Sequence, residues 1–146
     1  MSKGNGFESG LLELVLNNAP LEGIGDAAGL QPSAVAGDLF VSLHTADPGE
    51  GGTQATSEAT YPGYARAAVP RDGTGWSVAG GQAENGGTVA FPECTGGSQV
   101  ITHAAIGVDP TGAGAVLYRV ALAAPVTVEA GMFPRFPAAA LSLTED

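Results

Sequence analysis

Apolar and polar positions alternate most regularly over Asp38–Thr45, with Leu39, Val41 and Leu43 on one face and Phe40, Ser42 and His44 on the other. That period of two predicts a strand. Nearer the N-terminus, Phe7, Leu11, Leu14 and Val15 recur at the spacing of a helical stripe. Asn5 and Glu8 have the spacing of a capping box, and Asn17-Asn18-Ala19-Pro20 stops the helix. Further strands are expected over Tyr64–Arg71, Thr88–Phe91, Ser98–Val108, Ala115–Leu122, Val126–Glu129, Met132–Phe136 and Ala140–Thr144, with Pro125 breaking the run between two of them. Pro48–Gly52, Asp109–Gly112 and Ala130-Gly131 read as turns. Thr53–Thr60, small and polar, reads as an exposed excursion.

Short strands joined by glycine- and proline-rich turns are the pattern of an all-β protein. The expected fold is an antiparallel β-sandwich, jelly-roll-like or Ig-like, with one short N-terminal helix. Residues 1–37 would form the helix and an extended arm, and residues 38–146 the sandwich, together one structural unit. The segment 21–37 is longer than the usual connection of about 4–6 residues, which suits a functional or packing role.

Composition sharpens this picture. The chain has 146 residues, 23 of them Gly and 10 Pro, with few aromatics, so Val, Leu, Ile and Ala must build the core. Fifteen acidic residues against five basic ones give a net charge of −10. That disfavours nucleic acid and anionic membrane as partners, because both are bound through Lys and Arg. Cys94 is the sole cysteine, so no disulfide can form within the chain, and a reducing cytosol is the expected site of synthesis. No secretory leader or bilayer-spanning apolar run is evident, so a soluble protein is expected.

Candidate chemistry is sparse. His44 and Asp47 lie three apart at a strand end, without the partners that zinc or a general base would need. His103 alternates with Ile101 and Ala105 and reads as a core or interface histidine. Cys94 lies in no nucleophile motif and reads as an inert thiol. The acidic turn Asp47–Glu50 lacks the alternating ligand series of a calcium loop. Trp76 with Tyr61, Tyr64 and Tyr118 suits either sugar stacking or core anchoring. Arg66, Arg71, Arg119 and Arg135 lie on or beside strands in a cation-poor chain, where they either contact a partner or pair with internal carboxylates. No catalytic residue, metal or cofactor is assigned, and the chain is expected not to be an enzyme.

Three segments together, Leu39–Glu50, Tyr64–Val69 and Val100–Val108 followed by Leu117-Tyr118, resemble a family of small bacteriophage virion proteins labelled tail-fibre or head-decoration proteins. The resemblance runs from about Phe7 to the C-terminus. The segment 21–37 is longer than in that pattern, and 73–87 carries an extra glycine-rich turn. The resemblance implies a non-enzymatic structural protein of the virion, made in the bacterial cytoplasm. Its expected role is capsid decoration or cement, bridging major capsid protein subunits to stabilise the head. The alternative is a tail, tail-fibre or baseplate component with a receptor- or carbohydrate-binding domain. Homo-oligomerisation as a dimer or trimer is expected, with Phe7, Leu11, Leu14, Arg66 and Arg119 as candidate interface residues and no nucleic acid or membrane partner.

Overall fold

A computed structural model describes residues 1–145. Among the described residues, one helix, α1 (Asn5–Asn17), precedes nine strands: β1 (Asp38–His44), β2 (Ala67–Pro70), β3 (Trp76–Ala79), β4 (Gln82–Asn85), β5 (Val89–Ala90), β6 (Ser98–Gly107), β7 (Val116–Glu129), β8 (Arg135–Phe136) and β9 (Ser142–Thr144). The strands form a four-stranded sheet of order β2-β1-β6-β7, a three-stranded sheet of order β3-β4-β9 and the pair β5-β8. The pairs β1–β6, β6–β7, β3–β4 and β4–β9 are all antiparallel. The expected class therefore holds: the protein is all-β with one short N-terminal helix, and a sandwich-like fold fits these sheets.

The chain forms two compact units. The first comprises residues 1–38, 70–88 and 136–146. Its core is Leu12, Leu16, Trp76, Ala83 and Leu141, with α1 packed on β3 and β4. The helix stripe differs from the sequence expectation. Leu12 and Leu16, four apart, are the fully buried pair, Leu11, Leu14 and Val15 are half-buried, and Phe7 is exposed. With apolar residues at 11, 12 and 14–16, several stripes are available, and packing selects the one that meets the sheet. The capping box is also absent: Gly4 is the N-cap and makes no side-chain cap bond. Asn18 closes the other end in the left-handed conformation (φ 54°), its N–H donating to the Glu13 carbonyl.

Two polar residues staple this first unit. Arg71 donates to the carbonyls of Leu14 and Val15 at the C-terminal end of α1 (2.9 and 2.8 Å) and to that of Ala36 (3.0 Å). A cation there also complements the negative end of the helix dipole. Asn85 is buried with every polar atom of its side chain bonded. Its amide donates to the Gly87 and Pro137 carbonyls, and its Oδ1 accepts from the Leu141 N–H. The segment 21–37 is ordered rather than extended: Leu21 and Leu30 exchange backbone bonds, and the Asn18 side chain holds Ser33 at both its N–H and its carbonyl.

The second unit comprises residues 39–69 and 89–135 and holds the four-stranded sheet. Both faces of β1 are buried from Val41 to His44, and Phe40 just before them is half-buried. The two strands expected around Pro125 are a single strand, β7. Ile101 pairs with Val126 but His103 with Ala121, so Leu122–Pro125 stand opposite Thr102 alone. Pro125 thus sits in a bulge on a strand at the edge of its sheet, where a missing N–H removes no ladder bond.

Replacing Asn85 by Ala leaves two carbonyls and one N–H without their buried partners, at a cost of about 1–3 kcal/mol. Urea denaturation of the variant should show that loss with an unchanged slope. A stability equal to wild type would show that these bonds are dispensable.

Candidate functional site

A polar cluster lies in the second unit and begins with the segment before β2. Glu58 accepts from both Nε and Nη2 of Arg66, at 2.6 and 2.8 Å. The Arg66 side chain is 2% exposed and that of Glu58 17%. The rest of the guanidinium donates to the carbonyls of Asp109 (2.8 Å) and Gly112 (2.6 Å), in the turn between β6 and β7. Tyr64 Oη donates to Glu58 and accepts from the Leu43 N–H of β1, both at 3.0 Å. The hydrogen bonds that Arg66 donates to Glu58 raise its pKa further, and burial pushes the Tyr64 hydroxyl well up. Arg66 therefore stays charged and Tyr64 neutral across physiological pH.

Beside it, Gln54 is fully buried and plugs the same turn. Its Nε2 donates to the Phe40 carbonyl (3.2 Å), and its Oε1 accepts from the Asp109 N–H (3.0 Å). A Cβ on Gly107 or on Gly114 would collide with the Gln54 side chain, so glycine at both positions is required by close approach. The excursion 53–60 is therefore a built-in part of the core and not an exposed loop: Gln54 and Ala59 are buried, and Thr53 and Glu58 form isolated bridges to Ala115 and His44.

His44 and Ser42 form a second cluster. The His44 Nδ1 faces the Thr56 carbonyl at 2.9 Å, which only accepts, so Nδ1 carries the proton. Its Nε2 then accepts from the Ser42 hydroxyl at 2.8 Å. A nucleophile, a base and an orienting acceptor are thus in line. Both side chains are 0% exposed, however, and no substrate atom can reach the hydroxyl. Burial holds the imidazole below its ordinary pKa of 6.5, keeping it neutral. The pair satisfies the interior of β1 and is sealed from solvent.

The remaining candidates separate in the same way. Asp47 pairs with Arg119 (2.8 Å) and not with His44, and it caps Gly49. The Gly49 N–H, with Arg119, holds the Asp47 carboxyl below its usual range. Glu50 reaches Arg119 only at 3.8 Å. Among the described residues, no group of three His, Cys, Asp or Glu is placed to hold a metal ion. His103 sits opposite His44 and bonds Thr102 Oγ1. Cys94 is buried with its thiol on the Gly96 carbonyl. Trp76 is fully buried and offers no face to a sugar. Tyr61 and Tyr64 pack edge-on at 5.2 Å, and Phe91 stacks on Tyr64 at 6.4 Å. Burial pushes the Tyr61 hydroxyl up to about 12.

Of the five interface candidates, Phe7 and Arg119 are accessible, Leu11 and Leu14 are half-buried, and the Arg66 side chain lies inside the fold. Large exposed apolar side chains are found elsewhere, on β7 and beside it (Leu117, Val120, Val126, Val100) and at Met132-Phe133. Apolar character on β7 is visible in the sequence; its exposure is not.

The family model described as Podophage GP4 fiber I protein gp80 matches residues 24–144, from the loop after α1 to the end of β9. No curated protein matches the chain.

The neutral His44 gives stability a defined pH dependence. Its folded-state pKa lies below the unfolded value of 6.5, so the unfolded chain takes up the proton first as pH falls. Stability is full above about pH 6.5 and declines below it through the lowered folded-state pKa, by at most about 1.4 kcal/mol per pH unit. The urea midpoint should drop between about pH 7.5 and 5.5 in wild type and change less in His44→Gln. A flat wild-type profile would contradict the buried neutral imidazole.

Proposed function

The chain belongs to the podophage GP4 fiber I protein family, a fibre-type family of virion proteins, and from that premise we propose that it is a structural component of the phage fibre that acts by binding alone. The family match over most of the chain carries this reading. The geometry supports it, because the groups with chemical potential are used internally. Ser42 and His44 are sealed in β1, Arg66 and Glu58 hold a turn, and Cys94 is buried. What the surface offers is apolar side chains on a strongly acidic body, which suits docking to other virion proteins.

Capsid decoration would use the same surface. The family's fibre description favours the tail side, and that is the reading adopted. Within it, Phe7 and Arg119 remain contact candidates, joined by the exposed Phe133 (63%). Arg66 acts as an internal tie, so its substitution would act through folding.

Quantitative mass spectrometry of purified particles, combined with immunogold labelling, tests the assignment. The expected result is a copy number that is a small fraction of the major capsid protein's, with label at the tail. A copy number comparable to the capsid protein, with label over the head, would overturn it in favour of decoration.

A further inference from the structure

Strand β7 lies at the edge of the β2-β1-β6-β7 sheet, paired on one side by β6. An edge strand presents unpaired backbone groups, and proteins ordinarily blunt it with charged side chains, proline or bulges. β7 has a bulge and Pro125, but between Arg119 and Glu129 it carries no charged residue. From Val120 to Thr127 every residue is exposed except the half-buried Leu122. Val120 and Val126 are 42% and 44% exposed, and Val100 on the adjoining strand is 48% exposed. A neutral apolar stretch is thus left in water on a chain of net charge −10.

That contrast points to the occupant. Two copies of so acidic a chain repel one another, and the uncharged stretch between Arg119 and Glu129 adds nothing to that repulsion. Its sequence is also self-complementary. In an antiparallel arrangement about a twofold axis at Ala124, Arg119 of each copy lies across from Glu129 of the other. The same register sets the half-buried Leu122 against the exposed Val126. The charges bounding the neutral stretch then meet their opposites at both ends, as an isologous interface requires. Arg119 has room for this, because its Nη1 holds Asp47 while its Nη2 lies 3.8 Å from Glu50.

We propose that β7 is a self-association edge, lying antiparallel against β7 of a second copy with Arg119 and Glu129 paired reciprocally. The inference stands on this strand and holds wherever in the virion the protein sits.

The test is sedimentation velocity and light scattering on the full chain across a concentration series, with thermal melts as the folding control. Wild type should form a dimer. Val126→Lys and Glu129→Arg, both at exposed positions, should keep the wild-type melt and weaken dimerisation by about tenfold or more. Arg119→Glu combined with Glu129→Arg should recover affinity relative to Glu129→Arg alone. A wild-type monomer throughout, a trimer, a dimer indifferent to Val126→Lys, or a double swap no better than the single one would each overturn the proposal.

Discussion

The Glu58–Arg66 pair is the interaction on which the second unit depends. A guanidinium whose side chain is 2% exposed must be compensated for its lost hydration, and here a bidentate carboxylate and two carbonyls do so. The arrangement binds three distant pieces of chain. Glu58 brings the segment 53–60, Tyr64 brings the β1 backbone through Leu43, and the Arg66 fork brings the β6–β7 turn. Removing one member would leave the others buried without partners. Such a pair therefore specifies one arrangement of these segments more than it adds stability outright.

This economy shapes what the protein can do. A chain with five basic residues uses Arg66 and Arg71 to hold backbone carbonyls and Arg119 to anchor an acidic turn. The buried serine–histidine pair likewise serves β1. The surface carries apolar edges and acidity, which is in keeping with the binding role proposed above for a member of a fibre-type virion family.

Much of the fold could be read from the chain. β1 and β6 are long apolar strands bounded by turn residues, and both lie within a residue of where the pattern puts them. β4 escaped because Gln82-Ala83-Glu84-Asn85 carries a single apolar side chain; Ala83 and a fully bonded Asn85 are what it buries. β7 appeared broken because Pro125 normally ends a strand, whereas a bulge at a sheet edge absorbs it. The helix was legible but its buried stripe was not, since adjacent leucines leave the choice to tertiary packing. The arginines show the deepest limit. Glu58 lies in a small, polar segment with no local sign of burial, so nothing in the sequence brings it to Arg66. Gln54 is hidden for the same reason, although Gly107 and Gly114 mark the close approach it makes.

The central claim is that Glu58, Arg66 and Tyr64 act as one tie across β1, the excursion 53–60 that follows it and the β6–β7 turn. Native-state amide hydrogen exchange on wild type and Glu58→Gln tests it most directly. The account predicts that protection falls together at the Leu43, Ala59 and Asp109 amides, since each is bonded within or beside the tie. Protection lost at Ala59 alone, with Leu43 and Asp109 unchanged, would contradict it.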